Sequence, residues 1–127
     1  MNADDFREIA LSMEGAVERS HMGHPDFRAN GRIFATLSAD GSSGVVMLSP
    51  DEQQEFMRQA PKTFRPASGA WGRQGCTTIL LKTANKPSAR SAVLLAWERA
   101  VAQKPPRVRR SKIADRPGPQ SRARRRR

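Results

Sequence analysis

The feature that most limits the fold is where the core-forming residues stop. Beyond Glu98 the larger apolar side chains are Val101, Val108 and Ile113, so nearly everything able to build a hydrophobic interior lies upstream. Residues 103–127 hold 11 of the chain's 23 Lys and Arg residues and one acid, Asp115, with Pro105, Pro106, Pro117 and Pro119 among them. That stretch has no apolar periodicity, and its composition buries too little surface to offset the entropy lost on ordering. The remaining residues carry 12 basic against 11 acidic side chains. The expectation is one nearly neutral domain over 1–102 and a disordered Arg/Lys/Pro-rich tail over 103–127. A body of about 100 residues buries a modest core without disulfides or metal.

Along the body, Phe6, Ile9, Ala10 and Met13 recur at helical spacing behind acids in the first turn, and Gly15 stands where a helix commonly stops. This predicts a helix over 4–13. Extended pieces follow at 16–21, 26–30 and 32–37, the last two joined by Asn30-Gly31, the strongest short hairpin signal. A loop over 38–44 leads to a strand candidate at Val45-Val46-Met47-Leu48. Ser49-Pro50-Asp51-Glu52 reads as a helix start, with a serine cap, a first-turn proline and a capping-box glutamate, and Pro61 limits that helix to about Ala60. Phe64–Ala67 is extended, Gly69, Gly72 and Gly75 punctuate a loop around Trp71, and 77–81 is a strand. Ala89, Ala92, Val93, Ala96, Trp97, Ala100 and Val101 form one helical stripe that starts after Asn85-Lys86-Pro87. The order predicts an α+β domain, an antiparallel meander with helices on one side.

Several function classes fall away on composition. No apolar run approaches the ~20 residues of a membrane span, and the N-terminus carries Asp4, Asp5 and Glu8 where a targeting peptide would be basic. The lone Cys76 excludes an internal disulfide and fits a reducing compartment, so a cytoplasmic location is expected. His21 and His24, with Glu18 and Asp26 nearby, hold the chemistry of a metal site, but there is no third His and no second Cys. No nucleophile elbow surrounds any serine, and nothing in the sequence pairs Cys76 with a base. No enzyme activity, metal or cofactor is expected. Gly72-Arg73-Gln74-Gly75 has the glycines and the guanidinium of a phosphate loop but neither fingerprint spacing, so a tight turn into the next strand is the plainer reading.

The segment Gly23-His24-Pro25-Asp26-Phe27-Arg28 followed by Gly31-Arg32-Ile33-Phe34-Ala35-Thr36-Leu37 resembles the MmcQ/YjbR family, where a Gly-x-Pro-x-Phe stretch leads into a hairpin and a Lys/Arg-Ile-Phe-Ala strand. Leu48–Gln54, Pro66-Ala67 before Trp71–Gly75, and Ala96-Trp97-Glu98-Arg99 fit the same pattern in order and spacing. The likeness spans about residues 3–102 and leaves the tail outside. It implies a compact α+β domain described as a double wing, and the family's usual description as a predicted DNA-binding protein. It implies no catalytic residues.

The charges point to the same partner. In the tail, Arg107, Arg109, Arg110, Lys112 and Arg116 form one cluster, and Arg122 with Arg124, Arg125, Arg126 and Arg127 another. Each phosphate engaged by such an arm releases counterions, giving sequence-independent, salt-sensitive affinity for DNA or another polyanion. In the body, Arg28 and Arg32 flank the Asn30-Gly31 turn and would project at the tip of a wing, and Arg73 sits in the glycine loop. The chain is expected to act as a monomer. The alternative is a small-molecule or protein-binding module, its pocket between sheet and helices, with the tail incidental.

Overall fold

The computed structural model describes residues 1–103, apart from the side chain of His21. The expected disordered tail therefore lies, except for Gln103, outside the described residues. The elements are α1 (Ala3–Leu11), β1 (Val17–His21), β2 (His24–Ala29), β3 (Arg32–Leu37), β4 (Ser43–Met47), α2 (Pro50–Gln59), β5 (Phe64–Pro66), α3 (Gly69–Arg73), β6 (Cys76–Leu80) and α4 (Lys86–Ala102). One antiparallel sheet takes all six strands in the order β1-β2-β3-β4-β6-β5. The first four strands are the expected meander. The chain then crosses through α2 to the edge at β5 and returns through α3 to place β6 beside β4.

Helix ends follow from their caps. Asn2 accepts from the Asp5 backbone N–H at 2.9 Å while the Asp5 carboxylate takes the Asn2 N–H at 3.0 Å, so α1 begins one residue before the first acid. Ser49 and Glu52 close the expected capping box on α2 at 3.1 and 2.9 Å. Asn85 accepts from the Ser88 N–H at 2.9 Å and opens α4, with proline in its first turn. The Asn30-Gly31 turn has both residues at positive φ, 57° and 74°, the geometry a two-residue hairpin needs.

Side chains alternate across the sheet and the helices lie on one face. Phe27, Ala35, Leu37, Val46, Thr77 and Ile79 point inward, all buried. Phe6 of α1 packs edge-on to Phe27 with ring centroids 6.2 Å apart. It also sits so close to β4 that a Cβ at Gly44 would fall 2.7 Å from its ring. The α4 stripe of Ala89, Ala92, Val93, Ala96 and Ala100 is buried against β3 and α1, and its small side chains let the helix approach the sheet closely. Val101 is exposed and Trp97 half-buried, so the apolar stripe is narrower than its sequence spacing indicates. Phe56 of α2 meets Phe64 of β5 at 5.0 Å and closes the far end of the core.

One element differs in kind from the expectation. Residues 69–73 form a short helix, not a loop. The glycine at position 72 is there for packing: a Cβ would stand 2.0 Å from the Ala67 carbonyl oxygen. The buried Gln53 side chain fixes this helix to α2 and β6, donating to the carbonyls of Gly72 at 3.0 Å and Cys76 at 2.9 Å. Gly75, at φ +111° and with the Leu48 carbonyl 2.2 Å from its would-be Cβ, then makes the tight turn into β6.

Candidate functional site

The ladder between β3 and β4 is short. It pairs Ala35, Thr36 and Leu37 with Val46, Val45 and Gly44, and goes no further. Beyond it the two strands part, because each is held by its other neighbour: Arg32 of β3 pairs with Ala29 of β2, and Met47 of β4 with Cys76 of β6. A cleft of about 520 Å³ opens between these two arms, with Ala96, Arg99, Ala100 and Gln103 of α4 and its end lining it from behind. Arg28, Gly31, Arg32 and Ile33 line one wall, and Met47, Leu48, Gln74 and Cys76 the other.

Arg28, Arg32 and Arg99 all line this cleft, and no Asp or Glu among the described residues is part of the lining. Arg28 is restrained: its Nε donates to Asp26 Oδ1 at 2.9 Å and its Nη2 to Asp26 Oδ2 at 3.2 Å, a fork on a carboxylate only 2% exposed. Those bonds hold Arg28 still more firmly in its charged form. About one third of the Arg28 side chain remains accessible (34%). Arg99 makes no ion pair with any described residue. On the opposite wall Cys76 donates to the Met47 sulfur at 3.3 Å. Burial pushes the Cys76 thiol above its ordinary value, partly opposed by the charge on Arg99.

The Asn30 side chain ties the hairpin to the helix at the rim. Its amide donates to the carbonyls of Gln103 at 2.7 Å and Ala100 at 3.0 Å, satisfying two acceptors that the end of α4 would otherwise leave open. The described chain thus ends at Gln103, on the lip of the arginine cleft.

Sequence reasoning and geometry meet unevenly here. Arg28 and Arg32 do lie together, but they line a cleft instead of projecting from a hairpin tip, because the Asp26 carboxylate two residues back draws Arg28 onto the strand. Arg73 is exposed at the end of α3, one residue before Gln74, and is not part of the lining. Arg107, Arg109, Arg110, Lys112, Arg116, Arg122 and Arg124–Arg127 lie outside the described residues. Arg99 joins Arg28 and Arg32 from α4, where Ala96, Arg99, Ala100 and Gln103 recur at the i, i+3, i+4, i+7 spacing that marks one helix face. Asp26, which lies near His21 and His24 in the sequence, is engaged by Arg28. Among the described residues, no three His, Cys, Asp or Glu side chains gather as a metal site, and no helix is long and apolar enough to cross a membrane.

The YjbR family model matches residues 11–99, from the end of α1 through most of α4 and both walls of the cleft. The chain belongs to the YjbR family. The crystal structure of the Deinococcus radiodurans protein DR2400, described as a DUF419 domain, is similar in fold, with a TM-score of 0.63 at 15% identity over 74% of each chain. At that identity the likeness concerns the fold alone. No curated protein matches the sequence. The family match covers Arg28, Arg32 and Arg99 and ends before the basic segment.

Proposed function

We propose that this YjbR-family protein binds DNA without catalysing a reaction on it, through a folded domain over 1–102 and a basic arm over 103–127. The observation that carries the reading is where the arm starts. Gln103 lines the cleft that gathers Arg28, Arg32 and Arg99, and the next 24 residues supply all 11 of the arm's Lys and Arg side chains. The arm therefore begins beside the arginines of the body, although the body as a whole is nearly neutral. The arm (Arg107, Arg109, Arg110, Lys112, Arg116, Arg122 and Arg124–Arg127) supplies affinity through counterion release, and Arg28, Arg32 and Arg73 place the backbone on the domain. The single Cys76, a half-buried thiol, fits action in the reducing cytoplasm.

A salt series on the full chain tests this. Duplex DNA affinity should be high at low salt, and its logarithm should fall linearly with log salt, by about 0.9 for every phosphate engaged. A chain that passes unretained through a nucleic-acid column in dilute buffer rules the reading out. The cleft volume of about 520 Å³ also suits a small ligand, whose sites run roughly 300–1,000 Å³. Binding that survives high salt and needs no DNA would favour that second reading.

A further inference from the structure

The cleft continues into a second groove on the sheet face opposite α1 and α4. Ile33 and Met47 line both. The second groove, about 440 Å³, has Val45 and Thr36 on its floor and Met22 and Trp71 at its sides, with His24 and Asp26 at the edge. Trp71 is 58% exposed and Met22 84% exposed, although burying side chains of this size is normally favourable. Both stand over the same groove, and the adjoining cleft carries three arginines. The combination is an apolar slot with an aromatic side chain at its edge, next to a cleft lined by three arginines.

We propose that this face binds single-stranded nucleic acid, with an unpaired base stacked on Trp71 and the adjoining phosphates against Arg28, Arg32 and Arg99. The inference rests on the proposed DNA binding and narrows it. A duplex presents its bases edge-on and stacked, so it cannot offer a ring face to Trp71, whereas a single strand can. Stacking is indifferent to base identity, and the arginines read only phosphate, so the preference is for strand state over sequence. The sheet platform supplies contacts that the arm cannot: the arm neutralises phosphate on either form of DNA alike.

The test compares a short oligothymidylate strand with a duplex of equal length, using the full chain in dilute buffer. The single strand should quench Trp71 emission and shield Cys76, on the adjoining wall, from iodoacetamide. The duplex should leave Trp71 emission unchanged. Trp71→Ala should weaken single-strand binding roughly 5- to 100-fold and leave duplex binding unchanged, while Trp71→Phe keeps most of the affinity. Trp71 is largely exposed, and the duplex affinity of the variant reports whether the arm and fold are intact. Equal affinity for both strand states, with Trp71→Ala indifferent, overturns this inference and leaves DNA binding standing. Failure of either form to bind at low salt removes both.

Discussion

Asp26 is the switch on the cleft's charge, and Asp26→Asn tests it. The carboxylate is buried and takes two hydrogen bonds from Arg28, at 2.9 and 3.2 Å. Asparagine keeps the shape and one acceptor oxygen, so one of the two bonds can persist. The other is lost together with the ion pairing. A buried pair broken from one side costs about 3–5 kcal/mol when the remaining charge has no access to water. Here the Arg28 side chain is 34% exposed and can rehydrate, so the loss should fall nearer 1–2 kcal/mol. For a domain of this size that is roughly 5–15 °C in melting temperature. The same change removes the carboxylate that holds Arg28, so its guanidinium is available to phosphate. The salt slope for a single strand should steepen by about 0.7 and the low-salt affinity rise several-fold. Differential scanning fluorimetry and a salt titration measure the two effects on one sample. A less stable protein that binds DNA no more tightly would refute the argument, because Arg28 would then lie apart from the binding face.

Three further outcomes follow from the packing. Gly72→Ala should cost about 3 kcal/mol, because the new methyl must displace the Ala67 carbonyl and with it the helix that carries Trp71; thermal melts check this. Asn30→Asp keeps the left-handed turn but sets a carboxylate against the Ala100 and Gln103 carbonyls at the negative end of α4. It should destabilise by roughly 1–3 kcal/mol, read from urea midpoints. Asp40, which accepts from the Ser42 backbone N–H, the Ser42 hydroxyl and the Ser38 hydroxyl, is held down to about 2. Because its value is lowered on folding, the loop between β3 and β4 gains stability above pH ~4 and loses it as pH falls toward 2. A carboxyl titration by NMR should place the Asp40 midpoint near 2, and a midpoint near the ordinary aspartate value would show those bonds absent.

Local chemistry was the readable part of this sequence. The Ser49–Glu52 capping box and the Asn30-Gly31 turn each depend on neighbours within a few positions and appear in the structure as their spacing implies, and the alanines and Val93 of the α4 stripe are buried as expected. Other features depend on distant partners. The β1–β2 connection at Met22-Gly23 puts a methionine at φ 52°, which no turn preference would suggest. Glycines around Trp71 read as loop punctuation, but Gly72 serves close backbone packing, visible only once Ala67 is in place. The cleft itself exists because the β3–β4 ladder stops early, a property of pairing register that hydrophobic alternation does not encode. For the same reason Arg28 and Arg32 were legible as neighbours of a turn, while Arg99, some seventy residues away, joins them only through the docking of α4.

The claim at the centre is that the folded domain itself touches nucleic acid at the arginine cleft, and the sharpest measurement is the salt dependence of single-strand binding by residues 1–103, with and without Arg32→Gln and Arg99→Gln. The account predicts weak but measurable affinity at low salt for the domain alone, with the slope falling by about 0.7 for each arginine removed. A domain that binds nothing once the basic segment is gone, or that binds equally well without both arginines, would contradict it.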